Sequence, residues 1–247
     1  MSIAANTFSI VARCARTGEL GVAVASAVPA VGAICPYVRA GVGAVTTQSW
    51  VNPYLATAIL DSLSAGSSAE AALASALESD AEAELRQVGV VDASGGSAVW
   101  TGGSCTEWQG SQHGPDFSAQ GNMLTGPEVI AALAETFSAR HADGLDERLM
   151  QCLEAAQAVG GDKRGKQAAA LLVFGKEAYA RVDLRVDEDA APIARLREVY
   201  EIAKRQLMPF VDGMPKRDEP SAFPPGVMEL LLKSPPDRPG GGGSDRP

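Results

Sequence analysis

From Thr7 to Arg13 polar and apolar residues alternate: Thr7, Ser9, Val11 and Arg13 share one face of an extended segment, Phe8, Ile10 and Ala12 the other. Arg16-Thr17-Gly18-Glu19 reads as a turn with Gly18 able to take positive φ. Leu20 to Ser26 returns as a strand that is small and apolar on both faces. Val28 to Pro36 reads as a loop. Gly43 to Ser49 predicts another strand, which ends on the polar positions Thr46, Thr47, Gln48 and Ser49. The period then changes to that of helices over Pro53 to Ala65 (Leu55, Ile59, Leu60 and Leu63 in one stripe) and over about Ser68 to Ser79, with Ser68 as N-cap.

The same order recurs further along. Gln87 to Ala93 and Ser97 to Thr101 form a hairpin across Ser94-Gly95-Gly96, and a glycine- and serine-rich loop, Gly102 to Pro115, follows. Phe117 to Leu124 is a strand, and Pro127 to Ala139 and Leu145 to Val159 are helices, with Pro127 suited to a helix start. Ala168 to Phe174 and Tyr179 to Val186 form a last hairpin before a helix over Pro192 to Gln206. Blocks of mainly antiparallel strands separated by paired helices predict a layered α+β fold. The expected organisation is an extension at residues 1–6, one domain at 7–208, and a Pro/Gly-rich, partly disordered tail at 209–247.

Composition narrows the function classes. Hydrophobic residues make up 46% but aromatic ones only 5%, so the core is built from Ala, Val and Leu. A net charge of −9 argues against nucleic acid and anionic membranes as partners. No apolar run approaches the ~20 residues that span a bilayer. MSIAAN lacks the basic and apolar regions of a signal peptide, so a cytoplasmic location is expected. Cys14, Cys35, Cys105 and Cys152 are widely spaced, as expected of free thiols, and predict no metal site. With two histidines in the chain, His113 in a polar loop and His141 at a polar helix end, a rigid Ser–His–Asp arrangement is not supported. There is no P-loop, no GxGxxG after a strand and no HExxH.

TFSIVAR, TGELGVAVAS, RAGVGAVTTQS, QGNMLTGPEV, GGDKRGKQAAALLV and VDLRVD are together similar to the domain-of-unknown-function family 1028, in matching order from about Thr7 to about Leu196. That family is placed among the N-terminal-nucleophile (Ntn) hydrolases. The resemblance implies a four-layer αββα sandwich of two antiparallel sheets and hydrolysis of an amide-like C–N bond in a small polar metabolite. Thr7 would be the nucleophile and its own α-amine the base, with no metal or organic cofactor. The α-amine titrates near 7.7–8.0, so it is substantially neutral without help from a histidine.

This chain departs from the family in two places. The family begins Met-Thr-Phe-Ser, whereas here MSIAAN precedes Thr7, so the Asn6–Thr7 bond must be cut before Thr7 acts. The family also has Ser where this chain has Ala168.

The remaining candidates each have a plainer alternative. Asn122 is a candidate oxyanion donor, or a turn residue after Gly121. Ser9, Gln48 and Ser49 are candidates for holding substrate, and Ser9 reads equally as a buried serine bonded to backbone. Arg39 could grip a carboxylate or face solvent. Asp162, Arg164 and Gln167 could hold a charged substrate, or the first two could pair with each other. The competing reading is a non-catalytic small-molecule-binding or structural protein that keeps the fold. Small-residue helices are compatible with a homodimer.

Overall fold

The computed structural model describes residues 7–220 and Gly226, so the expected extension at 1–6 and most of the tail at 209–247 lie outside the described residues. The chain divides into two compact units, one ending at Glu198 and the other beginning at Val199.

The first unit contains two antiparallel sheets. β1 (Thr7–Arg13), β2 (Leu20–Ser26), β8 (Phe117–Asn122), β9 (Ala168–Phe174) and β10 (Ala180–Val186) join β7 (Gly110–Gly114) in a six-stranded sheet of order β10-β9-β2-β1-β8-β7. β3 (Pro36–Arg39), β4 (Gly43–Ser49), β5 (Arg86–Asp92) and β6 (Ser97–Thr101) form the second sheet in chain order. Helices α1 (Pro53–Ser64) and α2 (Ala69–Glu78) pack against the four-stranded sheet, and α3 (Glu128–Ala139) and α4 (Leu145–Ala158) against the larger one. α5 (Pro192–Gln206) runs into the second unit, which also holds α6 (Met208–Asp212). The fold is thus α+β, with two antiparallel sheets and six helices among the described residues.

The elements follow local chemistry. Asn52 caps α1 by accepting from the Tyr54 N–H at 3.1 Å, and Ser68 caps α2 through the Ala71 N–H at 3.2 Å. The apolar stripe of α1 (Leu55, Ala56, Ile59, Leu60, Leu63) and the small residues of α2 bury against Val45, Val88, Val90 and Ala98. On the larger sheet α4 lies so close to β2 that a Cβ at Gly21 would sit 2.9 Å from Leu149 Cδ1. Small residues are therefore required there, in keeping with the low aromatic content.

Two strands lie where the sequence predicts none: β3 shares only its first residue with the loop expected over 28–36, and β7 falls inside the loop expected over 102–115. β3 begins with Pro36 and lies at the edge of its sheet, where a missing N–H leaves no ladder bond unmade. β7, GSQHG, has almost no strand propensity, and its pairing with β8 across the Pro115-Asp116 turn imposes the extended form.

The two sheets face each other through β1, β2, β4, β5 and β8. One half of the layer between them is apolar, with Val11, Leu20, Val22, Ala44 and Val91 in contact. The other half is polar.

A buried ion pair closes the end of the four-stranded sheet. Arg86 Nε donates to Asp80 Oδ2 at 2.8 Å, and Asn52 Nδ2 donates to the same oxygen at 2.9 Å. The Arg86 bond, helped by that from Asn52, holds the Asp80 carboxyl at about 2 against the opposing effect of burial. A depressed folded-state pKa stabilises the protein above the ordinary carboxylate value, and that stability is lost as pH falls toward about 2. Asp80→Asn should therefore cost about 2 kcal/mol in urea denaturation at pH 7. The gap to the parent should close as pH is lowered from about 4 to about 2.

Candidate functional site

Strand alternation decides which side chains enter the layer between the sheets. Thr7 and Ser9 of β1, Ser26 of β2, Thr46 and Gln48 of β4, Gln87 of β5, and Ser118, Gln120 and Asn122 of β8 all point inward, and all are essentially inaccessible to solvent. Register sets their order. Thr7 stands opposite Ser26 on one side and Asn122 on the other, and Ser9 stands opposite Gln120.

Three glutamines bind this cluster across the gap. Gln48 accepts from Ser9 Oγ at 2.6 Å, and its Nε2 donates to Gln87 Oε1 at 2.8 Å and to the Thr7 carbonyl at 3.2 Å. Gln120 Nε2 donates to Ser9 Oγ at 2.7 Å and Thr46 Oγ1 at 3.0 Å, while its Oε1 accepts from Ser118 Oγ at 2.7 Å. Gln87 Oε1 also accepts from Asn122 Nδ2 at 2.9 Å, and Gln87 Nε2 donates to the Gly121 carbonyl at 2.9 Å. An amide supplies both donor and acceptor, so a chain of glutamines can satisfy itself among buried side chains.

Thr7 Oγ1 donates to Ser26 Oγ at 3.3 Å, at the outer limit of a hydroxyl hydrogen bond. Immediately after Ser26, the Ala27 N–H donates to Asp162 Oδ2 at 3.1 Å. The Asp162 side chain is 1% exposed and also binds Arg164, whose Nη2 lies 3.0 Å from Oδ2. Asp162 reaches this point because its loop crosses closely beneath Leu124 and Thr125. Gly160 has φ of 134°, and a Cβ there would run into Thr125 Oγ1. The strand ends that frame the cluster turn sharply, with Ser49 at φ 67° and Met123 at φ 50°, a left-handed geometry uncommon outside glycine.

Several sequence candidates thus come together: Thr7, Ser9, Gln48 and Asn122 lie within the amide cluster, with Asp162 and Arg164 beside it. Gln167 joins through its backbone, its N–H donating to the Ser26 carbonyl at 3.0 Å. Two do not meet Thr7. Ser49, one residue beyond Gln48, falls on the opposite face of β4 and bonds the Cys105 thiol. Arg39 pairs with Gly43 at the far end of β4, and its Nη2 lies 2.8 Å from Asp61 on α1.

Gln87, Gln120 and Ser118 are not among the site residues expected from the sequence. Their signal is present in retrospect: Ser118, Gln120 and Asn122 repeat at a spacing of two on β8, in phase with Thr7 and Ser9 on β1.

All four cysteines are buried and free. Among the described residues no group of His, Cys, Asp or Glu is suited to hold a metal, and no helix is long and apolar enough to cross a membrane.

Comparison with known proteins gives a family but no activity. The family model described as "Family of unknown function (DUF1028)" matches residues 7–196. Among solved structures, protein SPO2555 from Silicibacter pomeroyi, assigned to the same family model, is 28% identical. It superposes with a TM-score of 0.81 over 88% of this chain and 95% of its own. Anbu (ancestral beta-subunit) from Yersinia bercovieri aligns at 8% identity and a TM-score of 0.40, covering 84% of this chain and 97% of its own. Anbu from Hyphomicrobium sp. strain MC1 aligns at 11% and 0.39, covering 85% and 99%. No curated protein matches the sequence.

The cross-gap packing has a measurable consequence. Gly89 on β5 lies where a Cβ would run into Gln120 Oε1, so alanine there would push the amide out of its bonds. Gly89→Ala should destabilise the protein by about 1–3 kcal/mol in chemical denaturation. The loss should be smaller when introduced into Gln120→Ala than into the parent, a coupling that a double-mutant cycle reads directly.

Proposed function

We propose, for a chain that belongs to the DUF1028 family of unknown function, an Ntn-type hydrolase that cleaves an amide-like C–N bond in a small polar molecule. The observation that carries this reading is the setting of Thr7. It begins one of the two central strands of the larger sheet, stands in register between Ser26 and Asn122, and has its carbonyl held by Gln48. The outward packing of α1 and α2 on one sheet and α3 and α4 on the other supports reading the layers as the αββα sandwich of such enzymes.

The chemistry needs an N-terminal Thr7, which cleavage of the Asn6–Thr7 bond would create. The Thr7 hydroxyl then attacks the substrate carbonyl while its proton passes to the freed α-amine. An Asn122 N–H donates to the oxyanion that develops, its amide oriented by Gln87. Collapse of the intermediate expels the amine with the transferred proton and leaves an ester on Thr7, which water hydrolyses. Asp162 and Arg164 fix the segment after Ser26 and lie where they can engage a polar substrate. Arg39 has no part in this scheme, because it is held by Asp61.

A second reading, a binding protein that keeps the fold without catalysis, is favoured by the complete burial of Thr7. Intact mass and N-terminal sequencing of purified protein separate the two. A chain beginning at Thr7 is the expected result, and one that retains residues 1–6 leaves the threonine without its base and favours binding. Thr7→Ala should abolish hydrolysis of amide substrates while preserving the fold, and Thr7→Ser should keep partial activity. Undiminished turnover by Thr7→Ala would reject the nucleophile assignment.

A further inference from the structure

At the end of β1 remote from Thr7, a cavity of about 340 Å³ is lined by Cys14, Arg16, Asp116, Phe137, His141 and Arg148, among others. β1 has seven residues, so about 20 Å of strand separates this place from the amide cluster.

Arg148 on α4 is 6% exposed. Its Nη2 donates to the Phe137 carbonyl at 2.7 Å, and its guanidinium carbon lies 3.6 Å from the centroid of the Phe137 ring. Its Nε is buried without a hydrogen-bond partner. No carboxylate forms an ion pair with it among the described residues: Asp116 Oδ1 accepts from Arg13 at 2.7 Å, and Asp146 on the same helix is taken by Arg181 at 3.2 Å, so Asp116 acts on Arg148 only through its nearby charge.

A second cation adds to the imbalance. Arg16 is fixed at the cavity by donating to the carbonyls of Ala142 and Asp143 at 2.9 and 2.8 Å. Burial lowers the Arg148 pKa from the ordinary arginine value, against the opposing charges of Cys14, Cys152 and Asp116, and the Arg16 charge adds to the lowering. A buried cation without a carboxylate in ion-pair contact is destabilising. Stacking on the Phe137 ring offsets part of that cost. An oxyanion would supply what is missing, because the planar guanidinium fork matches carboxylate and phosphate oxygens.

We propose that this cavity binds a small molecule through a carboxylate or phosphate group held by Arg148, with Arg16 beside it. Burial works to raise the Cys14 pKa, but hydrogen bonds from Thr17 and the Arg16 backbone hold it below the ordinary value, whereas burial pushes Cys35 and Cys152 up to about 12. Cys14 itself is 1% exposed and lines the cavity.

Calorimetric titration of the full chain with inorganic phosphate, and separately with malonate, tests the site. At least one anion should bind with a Kd of about 1 mM or tighter. Binding of phosphate alone assigns a phosphoryl-bearing ligand, and binding of malonate alone a carboxylate-bearing one. Arg148→Met keeps the side-chain volume and removes the buried charge, so it should fold and weaken binding by about tenfold or more. Should it fail to fold, Arg148→Lys keeps a charge without the fork and should still weaken binding severalfold. If neither anion binds the parent protein at about 10 mM, or the folded Arg148 variant binds as well as the parent, the proposal is overturned.

Discussion

The protein depends on how it disposes of polar groups buried between its two sheets. Side chains that face each other across such a gap are ordinarily apolar, because an unmet amide there costs about 1–3 kcal/mol. Here half of the layer is made of amides and hydroxyls, and Gln48, Gln87 and Gln120 bond one another's neighbours until the cluster satisfies itself. The arrangement is all-or-nothing. Moving one glutamine leaves several partners unmet, so the relative position of the two sheets is fixed more narrowly than an apolar layer would fix it.

That rigidity bears on the proposed chemistry. A nucleophile that draws its base from its own α-amine needs its backbone held, since the amine has no side chain to steer it. Gln48 on the Thr7 carbonyl, the register with Ser26 and Asn122, and the Asp162 bond to the Ala27 N–H together anchor the strand end from both sheets. The left-handed turns at Ser49 and Met123 lie at the ends of β4 and β8 that frame it, a disposition common where function rather than packing sets the backbone.

β1 also ties together two chemically opposite places. Its first residue enters a neutral cluster of amides and hydroxyls, and the residues just past its end border a cavity with two guanidiniums and a thiol. The strand is too short and too well paired to bend, so the two places keep their separation.

The sequence by itself determined the period of nearly every element. Alternation marked β1, the apolar run marked β2 and β9, and helical stripes with Asn52 and Ser68 at the caps marked α1 and α2. These are local signals set by a single chain segment and its own solvent-facing pattern. It also determined which face of β1 carried Thr7 and Ser9. Tertiary structure alone decided what met that face. Pairing turned the polar segment GSQHG into β7 and proline-led PYVR into β3, because an edge strand takes its form from its neighbour. Register brought Gln87 and Gln120 to Thr7 and carried Arg39 and Ser49 away from it. Residues from 9 to 122 converge there through contacts between strands far apart in the chain, and no local period encodes which strand lies opposite which.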